Sequence, residues 1–341
     1  TVRDEKSGLS HTFDGALNEP LGRSRIEGRL RTQSLQTVRS PDGGKASPFE
    51  LTSKIHLDGD AFRLDDIAVT FQNKDRLQTL TGSALTSWQD GLVTRTRLNA
   101  PWLDLDAVAG IGPGENPLTG IERLLTRGLE PLGAGVTSAS LDIQQGRLAG
   151  ATVSGLQARM IRRDGITKVE ELRVTLPGLT ALALDGFVDA QKDGLQFDGN
   201  VVMRSANLNE FVQWLRPGSG AFAETVPGAV ALNGALRVRP KKFDLSNASV
   251  DIAGERLDGS FAYDATPARP RLTADLETAA FDLSRLARDL LDPGVLAVKL
   301  GFTDVGAIPA AAGEAARLFD GMDLTLKVRA RELTDGRRTF K

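Results

Sequence analysis

The chain has no cysteine, only two histidines and few aromatic residues. Aromatic residues make up 5% of the 341 positions, and only one of them is Tyr. Without cysteine, disulfide scaffolds, thiolate metal sites and thiol catalysis are excluded. His11 and His56 have no Cys or second His nearby in the sequence, so we expect no metal site and no cofactor. The shortage of aromatic rings also disfavours nucleic-acid binding by base stacking.

Neither charge nor hydrophobicity indicates a nucleic-acid partner or a membrane span. Lys plus Arg number 42 and Asp plus Glu number 44, which gives a net charge of −2 without any block of like charge. No apolar run reaches the roughly 18 residues that a transmembrane helix needs. The N-terminal residues 1–6 are polar and are not a signal peptide. We therefore expect a folded segment of a longer protein.

Sequence motifs that carry chemistry are also missing. The glycine-rich residues 110–114 precede a predicted helix but lack the Lys and the Ser or Thr of a phosphate-binding loop. The Gly-x-Ser-x-Gly motif of an esterase does not occur. Three aspartate pairs lack the further ligands of a calcium-binding loop and are interpreted as turn and cap residues: Asp58/Asp60, Asp65/Asp66 and Asp104/Asp106. We predict that the chain is not an enzyme.

Apolar and polar residues alternate with a period of two between frequent Asp-Gly pairs. Asp-Gly is a strong signal for a hairpin turn, although Asp198-Gly199 is interpreted as a kink within a strand. The alternation gives each strand one apolar and one polar face, whereas buried parallel strands would form continuous apolar runs. The pattern predicts a mostly β fold, in which an elongated, repetitive antiparallel sheet forms an open groove with a few short helices between modules.

Four segments are predicted to be helical. Apolar residues at helical spacing cover residues 117–132, and Asn207 and Asp282 are predicted N-caps of helices over 208–215 and 283–291. The fourth segment is the Ala-rich stretch of residues 308–319. These helices are too short to cover so many strands, which favours a sheet with one open face.

Three stretches end in a similar short sequence motif, which indicates internal repetition. Each runs from a strand-like segment into a leucine that opens a predicted helix: Leu105, Leu208 and Leu283. Three earlier dipeptides are interpreted as strand starts: Asp66-Ile67, Glu171-Leu172 and Asn247-Ala248. The repetition predicts N-terminal strands over 1–48, modules over 49–135, 136–221 and 222–294, and a helix with a truncated module over 295–341.

The apolar residues of the alternating strands leave two interpretations open. One is the closed core of a β-sandwich or solenoid, and the other is an open sheet whose apolar face is available for lipid. The predicted lipid-binding residues are Phe49, Leu51, Ile55, Leu57, Ile67, Val69, Phe71, Leu195, Phe197, Val201, Met203, Val230, Leu232, Leu236, Val238, Leu324, Leu326 and Val328. Selective headgroup recognition would need converging Arg or Lys side chains, which the sequence does not locate.

The module ends share a pattern that is clearest over residues 257–263, 270–276 and 281–286, which read Leu-Asp-Gly-Ser-Phe-Ala-Tyr, Pro-Arg-Leu-Thr-Ala-Asp-Leu and Phe-Asp-Leu-Ser-Arg-Leu. In this pattern the chain resembles the AsmA-like family of bacterial envelope proteins. The pattern recurs more loosely over residues 80–108 and 183–211. The resemblance implies a periplasmic protein of a Gram-negative bacterium, anchored in the inner membrane, whose β-rich body carries phospholipid toward the outer membrane. It supplies no catalytic residues.

The expected function is binding and conduction of phospholipid acyl chains along an apolar groove between the inner and outer membranes. The expected partners are phospholipid or another acyl lipid, the inner membrane and other envelope proteins, without nucleic acid. The alternative is a structural β-repeat scaffold for outer-membrane assembly that carries no lipid. An enzyme acting on carbohydrate or ester substrates would require the fold to bring a pair of carboxylates together.

Overall fold

The protein is represented by a computed structural model that divides into two compact units, Thr1–Thr175 and Leu176–Lys341. The structure describes residues 2–4, 9–18, 25–34, 48–73, 76–112, 115–129, 135–191, 194–215, 229–252, 255–282, 323–334 and 339–340. The predicted helices over 283–291 and 308–319 lie outside the described residues. Among the described residues the fold is mostly β with a few short helices, so the predicted fold class is confirmed.

In the first unit, strands pair in sequence order to form one sheet. Its elements are β1 (Val2–Asp4), β2 (Leu9–Asn18), β3 (Arg25–Ser34), β4 (Phe49–Asp58), β5 (Ala61–Asn73), β6 (Arg76–Ser87), β7 (Val93–Asp104), α1 (Leu105–Ala109), α2 (Pro117–Leu129), β8 (Val136–Leu148), β9 (Ala151–Arg163) and β10 (Ile166–Leu176). Each strand hydrogen-bonds to the one before it.

The second unit follows the same plan with a second run of paired strands. Its elements are β11 (Thr180–Gln191), β12 (Gly194–Ser205), α3 (Leu208–Leu215), β13 (Val230–Arg239), β14 (Lys242–Ile252), β15 (Glu255–Asp264), β16 (Arg271–Asp282), β17 (Asp323–Thr334) and β18 (Thr339–Phe340). These strands also pair in sequence order.

Two strand pairs depart from the predicted antiparallel order. β7 and β8 run parallel, and so do β16 and β17. A parallel neighbour requires a crossover that returns the chain to the end of the sheet at which the previous strand began. The helices α1 and α2 form that crossover between β7 and β8. The alternation of apolar and polar residues does not distinguish parallel from antiparallel pairing, because a strand with one buried face has a period of two in either case.

Short helices begin where the sequence predicts them. Asp104 is the N-cap of α1, where its carboxylate accepts a hydrogen bond of 3.2 Å from the Ala107 N–H. Gly110 ends α1 with a left-handed φ of 66°, which glycine adopts without steric cost. The prediction for α3 is confirmed, and Asn207 Oδ1 accepts from the Glu210 N–H at 3.2 Å. The prediction for α2 is confirmed up to its last described residue, Leu129.

The dipeptides interpreted as strand starts lie inside strands, at β-bulges. Asp66 in β5 and Asn247 in β14 have φ angles of 51° and 49°, and the pairing register shifts at both positions. In β10 the register shifts between Val169 and Glu171. A bulge places an extra residue in one strand and increases its bend. The repeated signal in the sequence was therefore real, but it marks bends within strands rather than their beginnings.

Asp-Gly pairs occur within strands as well as in turns. Asp164-Gly165 forms a turn between β9 and β10, with φ angles of 51° and 81°. Other pairs lie inside β2, β11, β12 and β15: Asp14-Gly15, Asp185-Gly186, Asp198-Gly199 and Asp258-Gly259. Asp198-Gly199 was predicted to lie within a strand, which is confirmed. The other three also lie within paired strands, which the general hairpin signal of Asp-Gly does not distinguish from turns.

Candidate functional site

The second unit presents one apolar face that crosses from β11 to β17. Residues that face each other across paired strands lie on the same side of a sheet. Leu184 lies opposite Val201, and Leu236 lies opposite both Gly199 and Leu245. The centre of this face is a buried cluster of Val201, Leu245 and Ala248 with Leu182, Leu184, Leu232, Leu236 and Phe261 packed around it. Aliphatic contact therefore continues from strand to strand without a polar break.

The first unit presents a similar face. Phe49 lies opposite Phe71, and Leu51 lies opposite Val69, which in turn lies opposite Leu80. Further along the sheet, aliphatic residues of β7, β8 and β9 continue the same face through the pairs Leu98–Leu141, Ala100–Ile143, Leu141–Ala158 and Ile143–Leu156. An apolar surface thus extends across the neighbouring strands of this unit too.

Both apolar faces remain partly accessible to solvent. Leu51, Ile55 and Leu57 in the first unit, and Leu232 and Leu236 in the second, are only half-buried. Within each unit the described strands pack edge to edge with their sequence neighbours, and no second sheet covers the apolar face among the described elements. A closed sandwich core would bury such residues on both sides. The faces are therefore available for a further apolar partner.

A pair of facing glycines beside a phenylalanine occurs on the apolar face of each unit. Gly186 and Gly199 lie opposite each other on β11 and β12. A Cβ atom on Gly199 would lie 2.0 Å from the Asp185 carbonyl oxygen and 2.7 Å from the Phe197 ring. In the first unit, Gly15 and Gly28 form an equivalent pair beneath Phe13. Glycine permits the close approach of the strands, and the phenyl ring covers the exposed backbone.

The opposite face of each sheet is polar and is held by cross-strand ion pairs. Arg31 Nε lies 2.8 Å from Glu50 Oε1, and the hydrogen bond from Arg31 lowers the pKa of the Glu50 carboxyl. Asp198 accepts from Arg237 and Arg239, and these hydrogen bonds lower the pKa of its carboxyl. Opposite charges on facing strands stabilise a sheet modestly. Each sheet is therefore amphipathic, with a solvated ionic side and an apolar side.

The predicted lipid-binding residues lie together within each unit. Those between Phe49 and Phe71 share the apolar face of β4 and β5, and those from Leu195 to Val238 share the apolar face of β12 and β13. Leu326 and Val328 lie opposite Ala274 and Leu276, whereas the side chain of Leu324 is outside the described residues. Four predicted residues are already buried by their neighbours, with 5–8% exposure: Ile67, Phe197, Val201 and Val230.

Sequence reasoning omitted strands that complete these faces. In the second unit the missing residues are Leu182, Leu184, Val188, Phe243, Leu245, Val250, Leu257, Phe261, Tyr263, Leu272 and Leu276. Their alternation was visible in the sequence, but bulges such as that at Asn247 shift its phase within a strand. Only β14 needs an allowance for one extra residue, and plain alternation marks the residues of β11, β15 and β16.

The structure offers no alternative site for metal chemistry in the part of the chain that it describes. No group of three or more His, Asp or Glu residues is placed to hold an ion there. His11 Nδ1 lies 3.0 Å from Thr32 Oγ1, and His56 Nε2 lies 3.8 Å from Asp65 Oδ2. In the predicted turn and cap pair Asp104/Asp106, Asp104 caps α1, whereas the Asp106 carboxylate accepts hydrogen bonds from the N–H groups of both Ala149 and Gly150.

Comparisons with known proteins give no assignment. No family model, curated protein or solved structure matches the chain. Among the helices of the described residues, none has the length and apolar character needed to cross a membrane. The apolar sheet faces therefore carry the functional argument by themselves.

Proposed function

We propose that this chain binds lipid acyl chains on its apolar sheet faces and passes phospholipid along them, as a segment of an AsmA-like protein of the bacterial envelope. The observation that carries this proposal is the ladder of apolar side chains across each sheet, half-buried over β4 and β13 and covered by no second sheet among the described elements. Burial of a methylene group is worth about 0.8 kcal/mol, so two acyl chains of about 30 methylenes in total gain more than 20 kcal/mol on leaving water.

The dimensions of the faces suit an acyl chain. Strands lie about 4.8 Å apart, so the distance across the strands from β11 to β17 is about 29 Å. An acyl chain in a membrane leaflet spans about half of the roughly 30 Å hydrocarbon core. The second unit alone is therefore wide enough for a whole chain. Its aliphatic side chains, such as Leu232 and Leu236, favour packing against lipid tails without selecting a particular one.

A matched pair of phenylalanines tests this proposal. Phe243 lies on the apolar face of β14, opposite Val238, and is 37% exposed, whereas Phe187 lies on the polar face of β11, opposite Asp198, and is 53% exposed. Both residues are accessible, so neither Phe243→Asp nor Phe187→Asp buries a charge completely. We expect Phe243→Asp to reduce binding of a fluorescent acyl-chain probe and to reduce the lipid found by mass spectrometry of organic extracts. Phe187→Asp is expected to retain both.

The outcome that contradicts the proposal is equally specific. Equal probe binding by the two variants and the unmodified chain would show that the apolar face is not the lipid site. Absence of both probe binding and extracted lipid from the folded, unmodified chain would reject lipid binding altogether. Circular dichroism of each variant checks that the comparison is made between folded proteins.

A structural scaffold remains the second candidate. The buried cluster around Val201 and Leu245 favours it, since these side chains already pack against their neighbours without a ligand. A scaffold would retain its stability without lipid and show no gain when lipid is added. A lipid carrier is expected to become more stable as the lipid concentration rises, because the ligand binds the folded state. Thermal unfolding at increasing concentrations of a short-chain phospholipid separates the two.

A further inference from the structure

The polar face of the first unit contains a depression that the lipid proposal does not use. Its volume is about 580 Å³, and its lining includes Arg63 on β5, and Arg95 and Arg97 on β7. By strand register these arginines lie on the face opposite to Leu64 and Leu98. A volume of this size is typical of a site for a small molecule.

Among the residues that the structure describes, the three arginines have no partner of opposite charge. Arg63, Arg95 and Arg97 are exposed, and none of them forms an ion pair or side-chain hydrogen bond within the described part of the chain. Arg95 lies opposite Leu85 and Ser138, and Arg97 lies opposite Ser83 and Ser140. A guanidinium group has five N–H donors in a fork that matches an oxyanion. These donors are therefore available to a ligand.

This arrangement differs from the polar face elsewhere. On β3, Arg25 pairs with Asp58, and Arg31 pairs with Glu50 across to β4. Arg95 and Arg97 are instead two residues apart on the same side of one strand, which places like charges about 7 Å apart without a carboxylate opposite either. The two guanidinium groups repel each other and do not stabilise the sheet. Their charges are therefore better suited to binding an anionic ligand than to stabilising the fold.

Hydroxyl groups, two carboxylates and Arg159, which pairs with Glu171, also line the depression. Ser83, Ser138 and Ser140 line the same depression and lie directly beside the arginines by register. Asp65 and Glu170 also line it. Asp65 Oδ2 lies 3.8 Å from His56 Nε2 on β4, so Asp65 is on the side of the depression that is nearest to β4. The acids lie on β5 and β10, whereas Arg95 and Arg97 lie between them on β7. The positive charge is therefore concentrated at the centre.

We propose that this depression binds an oxyanion of the phosphate class that carries at least two negative charges. The guanidinium groups of Arg95 and Arg97 hold one end of the anion, with hydrogen bonds from Ser83 and Ser140 beside Arg97 and from Ser138 beside Arg95. Arg63 lies two strands away along the Arg63–Leu85–Arg95 register line, a separation of about 10 Å. That separation suits a second charged group of the same ligand better than a single phosphate ion.

Inorganic pyrophosphate is the probe that tests the site. We expect the double variant Arg95→Ser, Arg97→Ser to bind pyrophosphate at least tenfold more weakly by isothermal titration calorimetry, since charge-assisted hydrogen bonds are lost. The matched control is Arg25→Ser, Arg31→Ser, which removes the same charge from the polar face of β3 in the same unit. The control is expected to bind within twofold of the unmodified chain.

The two variants also separate a binding role from a structural one. The control loses two cross-strand ion pairs, whereas the Arg95 and Arg97 variant loses only a like-charge contact. We expect the Arg95 and Arg97 variant to keep or raise its melting temperature while it loses pyrophosphate affinity. Binding should weaken steeply with added salt, because the site is exposed to solvent.

Vesicles identify the source of the phosphate group. The site would be assigned to a lipid headgroup if the chain floats with phosphatidylglycerol vesicles but not with phosphatidylcholine vesicles, and if the Arg95 and Arg97 variant no longer floats. Pyrophosphate binding without flotation would assign it to a soluble phosphate. Failure of the unmodified chain to bind either probe would overturn the proposal, and so would an equal loss in the control variant. These outcomes do not depend on acyl-chain binding, which concerns the other face of the sheet.

Discussion

Asp66 and Asn247 occupy equivalent positions in the two units. Each follows a leucine by two residues, adopts a positive φ of about 50° and precedes a residue that faces a glycine: Ile67 faces Gly82, and Ala248 faces Gly259. The strands around them also correspond, because β4 to β8 and β13 to β17 share a series of antiparallel pairs that ends in one parallel pair. The internal repeat is therefore one of strand pairing and bulge position.

The bulge predicts an unusual response to substitution at Asn247. A β-branched residue is strained at positive φ by roughly 1–3 kcal/mol, whereas glycine is not. We expect Asn247→Val to lower the free energy of unfolding by that amount and Asn247→Gly to leave it nearly unchanged. Urea denaturation of both variants measures the difference. Equal stabilities for the two variants would show that the left-handed conformation is not required.

The close contact between Gly199 and the neighbouring strand predicts that adding a single methyl group at this position destabilises the second unit. A Cβ atom there would lie 2.0 Å from the Asp185 carbonyl oxygen, which belongs to the paired backbone and cannot move freely. We expect Gly199→Ala to destabilise the second unit by about 1–3 kcal/mol. Gly112→Ala is the control, since its nearest neighbour is the Glu115 carboxylate oxygen at 3.4 Å. A similar small effect of both substitutions in chemical denaturation would contradict the close approach.

Much of the strand arrangement could be predicted from the sequence, whereas the details that join distant residues could not. Alternation identified the strands around Phe49 and Val201, and the leucines Leu105 and Leu208 correctly marked helix starts. The parallel pairs were missed because strand direction leaves no mark on a period of two. Arg63 and Arg95 are 32 positions apart in the sequence and come together only through strand register, so no local pattern reveals their cluster.

The buried polar contacts of Asp104 at the start of α1 predict that removing its negative charge lowers the stability of the fold. Asp104 is 1% exposed, contacts Arg147 through its carboxylate and donates its backbone N–H to Gln78 Oε1 at 2.7 Å. Asp104→Asn removes the negative charge beside Arg147. We expect a loss of about 1–2 kcal/mol, less than for a fully buried ion pair, because about a third of the Arg147 side chain is exposed and Asp106 Oδ2 still lies 3.4 Å from its Nε. Thermal unfolding of this variant should be compared with Asp90→Asn, at an exposed turn.

The turn after β15 predicts a contribution to stability that depends on pH. Hydrogen bonds from the hydroxyl and N–H of Thr266, and then the Lys242 ammonium, lower the pKa of Asp264 from 3.8 to about 2. A carboxyl whose pKa is lower in the folded state stabilises the fold above pH 3.8, and this contribution is lost as the pH falls toward 2. The stability difference between the unmodified chain and Asp264→Asn should therefore shrink between pH 5 and pH 2. A difference that stays constant in urea denaturation across this range would contradict the prediction.

The burial of Phe197 predicts that the centre of the apolar face behaves as a core even though its margins are accessible. Phe197 is 8% exposed and lies between Val188 and Val238, with its ring over Gly199. Phe197→Asp places an unpaired carboxylate among apolar side chains, at a cost of several kcal/mol. We expect this variant to lose the cooperative unfolding transition of the second unit in circular dichroism.

Gln196→Arg is the control for that experiment, since the adjacent residue points to the polar face opposite Asp189. It should unfold like the unmodified chain. If Phe197→Asp instead remains as stable as Gln196→Arg, water must reach the ring position in the folded state. The apolar face would then be open to its centre, and acyl chains could contact Phe197 and Val201 directly rather than only half-buried residues such as Leu232 and Phe243.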